Sequence, residues 1–476
     1  MRPMRLAWLL LVLAAACAAQ QYELVIRGGR VIDPESKLDA VRNLGVAGGK
    51  IQAIAGEELR GGRQIDARGL IVAPGFIDLH AHGQSLENYR YQAMDGVTTA
   101  LELEVGVGDV DQWYAEREGK APIHYGASAG HIPARMAVMR DPGGFLPTGD
   151  AARREATGEE ILACRRRIER GLERGALAVG LGIQYTPAAS RWEILEMFRA
   201  AARFGAACHV HMRYMGQQEP GSSVQGLEEL IAASAITGAG LHLVHVTSSG
   251  LGAVPQLLQM IGEAQARRLD VTTECYPYTA AMTGIESAIF DEGWQKVLGV
   301  DYKDLEWIAT GERLTAESFA RYRKTGGMTI MHMIPEAAML AALASPLVMI
   351  ASDGHIENGK GHPRGAGTFA RVLGRYAREP KTLGWTEALR RMTLMPAQRL
   401  ERRAPMMKQK GRIRVGADAD LAIFDPERVL DRATFREPAL ASQGIQHVLV
   451  GGVAVVRDGR LEAGVTPGRA VRAPAQ

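Results

Sequence analysis

The chain has 476 residues, of which 46% are hydrophobic and 23% charged, enough for one large globular domain and a small one. Its formal net charge is +3, of which Arg2 and Arg5 in the leader supply two, so the electrostatic footprint of a nucleic-acid partner is absent. Beyond the first residues no run is long and apolar enough to cross a bilayer as a helix.

Residues 1–19 pair a basic start, Met1-Arg-Pro-Met-Arg5, with the apolar run Leu6 to Ala16. That run is too short to span a membrane and leads into small residues, the pattern of a secretory signal peptide. Export to the periplasm or beyond is expected, with cleavage before Gln20. Ala14-Ala-Ala-Cys17 also resembles a lipoprotein box, but Ala14 stands where leucine is usual, so anchoring through Cys17 is the lesser alternative. Without the leader three cysteines remain, Cys164, Cys208 and Cys275; an odd, widely spaced set is no disulfide framework.

From Tyr22 the chain alternates apolar and polar residues and breaks at Gly28-Gly29, then does the same around Asn43 to Ile54. The far end returns to this pattern at Ala419 to Asp425 and His447 to Gly459. Short antiparallel strands joined by glycine turns follow, and residues 20–73 and 411–476 are expected to form one small β-sandwich domain.

Residues 74–410 read differently, as strands alternating with helices. The expected strands end at His80 or cover 100–105, 176–181, 206–211, 240–245, 269–274, 328–333 and 347–353. Helical spacing of apolar residues marks 158–174, 192–203 and 227–237. The expected fold is α/β, a (β/α)8 TIM-like barrel with the chemistry at the C-terminal ends of its strands. Residues 290–325 fit this rhythm worst and read as an insertion, either a lid or a helical excursion.

In Val72-Ala-Pro-Gly-Phe-Ile-Asp-Leu-His80-Ala-His82 two histidines stand at i and i+2 of a strand end, so both imidazoles can face one point. His211, His245 and Asp353 close later strands, and together these residues make a nitrogen and oxygen donor set suited to Zn2+, one ion or two. Thr98-Thr-Ala-Leu-Glu102-Leu-Glu104 puts two carboxylates in a strand that should be wholly apolar. Left ionised there they need a cation; Glu104, nearer the strand end, is the expected ligand, Glu102 lies one layer deeper, and a salt bridge to arginine is the alternative. His131 and His209 are expected to be structural, with His209 the substitute ligand if the strand register is shifted.

Pro74-Gly-Phe-Ile-Asp-Leu-His-Ala-His and Gly416-Ala-Asp-Ala-Asp-Leu-Ala-Ile-Phe-Asp resemble the amidohydrolase superfamily. His211-Met-Arg213, Tyr276-Pro-Tyr278-Thr, Ser352-Asp353-Gly and His362-Pro-Arg364-Gly look more narrowly like the N-acyl-D-amino-acid deacylases, or D-aminoacylases. The resemblance runs from about Tyr22 to the C-terminus. It implies a zinc-dependent hydrolase that deacylates N-acyl-D-amino acids or cleaves dipeptides with a C-terminal D-residue. His80, His82 and Asp353 would hold one zinc, and His211 and His245 the other. The family's shared cysteine is replaced by Val105, and the carboxylated lysine of related amidohydrolases is excluded, since Lys120 is the only lysine between His82 and His211. Glu104 is then the available bridge. Val246-Thr247 likewise departs from the usual Leu-Lys.

Zinc lowers the pKa of bound water and polarises the amide carbonyl, and Asp353 would carry the proton from that water to the leaving amine. By the same resemblance Tyr278 would stabilise the oxyanion, Arg364 would hold the substrate carboxylate, Arg213 is a second carboxylate candidate, and Tyr185 would line the pocket. Packed aromatics and solvated arginines are the alternatives for these four. A cyclic-amide hydrolase of the dihydroorotase or hydantoinase kind is the second enzyme reading. A metal-free barrel serving as a binding or scaffold protein is the non-enzyme one. The partner is a small molecule, and the sequence leaves homo-oligomer formation open.

Overall fold

The computed structural model describes residues 21–378 and 383–475; the leader reading falls outside them. Eight parallel strands form the central sheet: β1 Phe76–Asp78, β2 Val97–Val107, β3 His124–Gly130, β4 Ala178–Gly182, β5 Ala207–His211, β6 Gly240–Leu243, β7 Val271–Cys275 and β8 Val348–Ile350. They are hydrogen-bonded in chain order. The seam between β8 and β1 is closed at the mouth, where Asp78 Oδ1 accepts the Ser352 N–H at 3.0 Å and the His80 carbonyl accepts the Asp353 N–H at 2.7 Å. Helices Gly158–Glu173, Arg191–Arg203 and Ser223–Thr237 cover the sheet where their apolar spacing predicts.

Two strand assignments differ from the sequence expectation. Met328–Met331 is a strand but no part of the barrel: it pairs antiparallel with Ala281–Gly284 and Leu305–Trp307 in a separate four-stranded sheet. The eighth barrel strand is instead β3, between β2 and β4, whose sequence His-Tyr-Gly-Ala-Ser-Ala-Gly carries none of the branched apolar residues that mark a buried parallel strand. Small residues are needed there because β2 bulges over it. Pairing between β2 and β3 jumps from Glu102 and Ala127 to Val107 and Ala129. Gly106 turns the bulge at φ +69, and a Cβ on Gly180 of β4 would stand 2.4 Å from the Glu104 carbonyl oxygen. Bulky residues in β3 and β4 would therefore push Glu104 away from the barrel axis.

Residues 290–325 lie within a longer excursion between β7 and β8 that includes the four-stranded sheet. It has its own aromatic core, with Phe290, Trp294, Tyr302 and Phe319 ring centroids 5.2–5.8 Å apart.

Both ends of the described chain build one nine-stranded sheet folded over a core that includes Ile26, Leu44, Ile51, Leu421 and Leu449. Strand Gln21–Asp33 changes partner at its glycine bulge, pairing with Arg60–Asp66 before it and with Ile71–Pro74 after it. The C-terminal tail then leaves this sheet for the barrel, where Val471 N–H donates to the Tyr125 carbonyl of β3 at 2.7 Å.

Candidate metal centre and its pocket

Six side chains from five strand ends converge at the mouth of the barrel. His80 Nε2 and His82 Nε2 lie 3.1 Å apart, and Glu104 Oε2 is 3.3 Å from the first and 3.0 Å from the second. Asp353 Oδ1 is 3.5 and 3.3 Å from the same two nitrogens. The other Glu104 oxygen, Oε1, is 3.0 Å from His211 Nδ1. His245 completes the group, its ring 4.5 Å from that of His211 and 5.3 Å from that of His80. One donor atom each from His80, His82 and Asp353, and one each from His80, Glu104 and His245, lie within 4.8 Å of one another. Glu104 thus touches both halves of the cluster. Two members are held in backbone conformations that branched side chains avoid, His245 at φ +32 and Asp353 at φ +52, strain of the kind that collects at functional sites.

Further groups aim the imidazoles. Glu274 Oε1 is 2.6 Å from His80 Nδ1, and its other oxygen is 3.1 Å from His242, whose Nδ1 in turn meets the Thr272 hydroxyl at 2.8 Å. Glu102 Oε2 is 2.8 Å from His82 Nδ1, the deeper position expected of it. Ser249 Oγ is 3.1 Å from His245 Nδ1. A carboxylate on Nδ1 fixes the tautomer whose free Nε2 lone pair can bind a metal.

The charges at this mouth do not balance. Glu102, Glu104, Glu274 and Asp353 are all buried, and the one guanidinium among them is Arg364, 2.9 Å from Asp353 Oδ2. Burial alone would lower the His80 pKa and raise that of Glu104, yet both move the other way. Asp353 and Glu274 lift His80 to about 10, and hydrogen bonds from His211, His80 and His82 hold Glu104 well below its usual range. His245 is pulled down to about 3, by burial and then by His211, and is the neutral imidazole that metals bind. His211 Nε2 is buried without a hydrogen-bond partner. A dry nest of imidazoles and surplus carboxylates fits a divalent cation with nitrogen and oxygen preferences.

His82, Glu104, His245 and Asp353 of the cluster form the floor of a cavity of about 320 Å³ walled in part by Val105, Phe145, Leu146, Met282 and Met328. Tyr185 lines it with its ring edge-on to His211 at 5.1 Å, and Arg364 lines it with Nε and Nη1 free of partners. Two sequence expectations fail here. Tyr278 does not face the cluster: its N–H donates to the Tyr276 carbonyl at 3.0 Å, a tight turn that ends strand alternation, and its hydroxyl lies 3.5 Å from the Pro363 carbonyl. Tyr276 takes the inward place, with its ring 6.4 Å from His245 and 4.4 Å under the Arg364 guanidinium, and its hydroxyl buried without a partner. Arg213 is spent on structure, paired with Glu229 at 2.9 Å and donating to the Pro187 and Ala189 carbonyls. His209 sits deeper, its ring tilted 32° against that of His242 with centroids 4.5 Å apart, and His131 is 2.8 Å from Glu193. Glu274 escaped notice, although a glutamate in Val-Thr-Thr-Glu-Cys is the same anomaly that marks Glu102 and Glu104.

The N-acyl-D-glutamate deacylase of Alcaligenes xylosoxydans xylosoxydans is 30% identical over 92% of this chain and 94% of its own length. The D-aminoacylase of the same organism is 29% identical over 92% and 95%. Among solved structures, the N-acyl-D-glutamate deacylase of Bordetella bronchiseptica, complexed with zinc and a phosphonate inhibitor, superposes with a TM-score of 0.81 at 27% identity, covering 95% of this chain and all of that one. The profile of the amidohydrolase family matches residues 63–456, and the chain belongs to that family.

Proposed function

We propose that this protein is a zinc-dependent hydrolase that removes the acyl group from an N-acyl-D-amino acid or cleaves a dipeptide whose C-terminal residue is D. The observation that carries the reading is Glu104, whose two oxygens reach His80 and His82 on one side and His211 on the other at the floor of a cavity with largely apolar walls.

His80, His82 and Asp353 would hold one ion and His211 and His245 a second, with Glu104 between them. A zinc ion bound there polarises an amide carbonyl and acidifies water. Asp353 is kept ionised against the pull of burial by Arg364 and His80, so it can take a proton from the attacking water and return it to the leaving nitrogen. The unpartnered Tyr276 hydroxyl is the donor for the oxygen that becomes negative as the carbonyl carbon turns tetrahedral. Arg364 keeps Nε and Nη1 for the substrate carboxylate, and Tyr185 closes the wall beside His211. The cyclic-amide alternative gains no observation of its own, since the bridging position holds a glutamate.

Released amine is to be measured from N-acetyl-D- and N-acetyl-L-amino acids with the protein loaded with zinc and after full chelation. Turnover of the D-series that vanishes with the metal and returns with zinc is expected; activity that survives complete metal removal refutes the reading. The leader of residues 1–19 would carry the enzyme out of the cytoplasm, and a mature chain beginning at Gln20 in the periplasmic or secreted fraction is the expected product. Among the described residues no helix is long and apolar enough to cross a membrane.

A further inference from the structure

On the deacylase reading, we infer that the released amino acid carries an uncharged, apolar side chain and that acidic side chains are rejected. The cavity lining holds one arginine and no lysine: Arg364, which already shares its Nη2 with Asp353. The other charged group outside the cluster is Glu357, on the hairpin of Ile356–Glu357 and Lys360–Gly361, with its side chain 75% exposed at the rim. The rest of the wall is Val105, Phe145, Leu146, Met282 and Met328 with Thr283, Tyr185 and His355, whose Nε2 already faces the Glu357 carboxylate at 4.0 Å.

An acylated amino acid with an apolar side chain brings one carboxylate, and one guanidinium with two unpartnered nitrogens meets it. An acylated glutamate or aspartate brings two. The second would lie among methionine and phenylalanine side chains or near Glu357, and a carboxylate buried without a partner is strongly disfavoured. Methionines adapt to unbranched and aromatic shapes alike, so the wall selects for polarity more than for outline. The walls are supplied by different segments: Phe145 and Leu146 by the loop pinned when Asp141 accepts four backbone N–H groups, Met282 and Met328 by the four-stranded sheet. A change in the sheet segment would retune the specificity without touching the metal cluster, whereas Phe145 also packs edge-on against His82 at 5.5 Å.

The test is kcat/KM of the zinc-loaded full chain for N-acetyl-D-leucine, -methionine and -phenylalanine against N-acetyl-D-glutamate and -aspartate. A preference of about 100-fold or more for the apolar series is expected, the scale on which a site rejects a polar group it cannot pair. Equal or faster turnover of the acidic pair would overturn this inference and leave the deacylase reading standing. Absence of amine release from every N-acetyl-D-amino acid would overturn both. Met328→Lys, with zinc content unchanged, is expected to raise the ratio of the glutamate to the leucine substrate by about tenfold, one ion pair's worth in a partly exposed wall; an unchanged ratio would also overturn it.

Discussion

Two clusters of buried charge in this molecule look alike in sequence and differ in their arithmetic. Beneath the terminal sheet, Lys410 is 2.6 Å from Asp420 and 3.0 Å from Asp418, Lys50 is 2.5 Å from Asp418, and His124 is 3.1 Å from Asp420. Two lysines meet two aspartates, and the Gly451 N–H fills a remaining lone pair of Asp420 at 2.7 Å. At the barrel mouth four carboxylates face one arginine. The first cluster is complete as folded, a clasp between barrel and sheet. The second is complete only with positive charge from outside, as protons held on His80 and His82 or as a metal ion that displaces them, and that shortfall separates a binding site from a structural ion pair more sharply than burial does.

The contrast is broken first at the clasp. Lys410→Met leaves the buried Asp420 without its lysine and the half-buried Asp418 with Lys50 alone, and is expected to cost about 3–5 kcal/mol of stability in denaturant titration. The loss should be the same with zinc and with chelator, because the clasp lies outside the metal-facing cluster; a loss that depends on metal would mean the two clusters are coupled. The mouth behaves in the opposite sense. Zinc at about a thousandfold above its Kd should stabilise the unaltered protein by roughly 4 kcal/mol through mass action. Glu104→Gln should remove most of that gain, as read from the shift in Tm on adding zinc, and a full shift in the variant would show that Glu104 does not bind the metal.

A smaller effect is expected one bond further out. Glu274→Gln keeps the volume beside His80 but gives up the charge that sets its tautomer, and zinc affinity measured by chelator competition should fall about 10- to 100-fold. Without metal the variant should still fold but with reduced stability, since the charge that holds a proton on buried His80 is gone. Unchanged zinc affinity would reduce Glu274 to a structural partner of His242.

These positions also show what a one-dimensional reading can reach. His80, His82, His211, His245 and Asp353 were legible because each ends or follows a strand, and the C-terminal ends of parallel strands necessarily share one mouth. Glu104 was legible for another reason, as a charge where a buried strand tolerates none. The eight-strand count was reached with one wrong member. Met328 to Met331 has the apolar pattern of a barrel strand, whereas β3 has given up bulk to accommodate its neighbour's bulge, a constraint set by β2 and invisible within β3 itself. Arg213 was misread because Glu229, the anion that neutralises it, lies on the following helix, and nothing local to Arg213 announces that its charge is already matched.

Within the tyrosine pair, Tyr278 gives the smallest expected effect and its contrast with Tyr276 the finest discrimination. In Tyr276-Pro-Tyr278 either hydroxyl could serve an oxyanion if the strand simply continued, since alternate residues would share a face. The turn closed by the Tyr278 N–H on the Tyr276 carbonyl separates them: Tyr276 stays beside His245 and Arg364, while Tyr278 packs its ring 4.5 Å under Arg371 with its hydroxyl against the Pro363 carbonyl. Tyr278→Phe then removes one long contact far from the reacting carbonyl, and kcat should stay within about twofold, the small net worth of a single weak hydrogen bond. Tyr276→Phe in the same assay should lose about 100-fold in kcat, the usual consequence of deleting one oxyanion donor. If the two losses were reversed, the inward tyrosine would be Tyr278 and the turn would have to open when substrate binds.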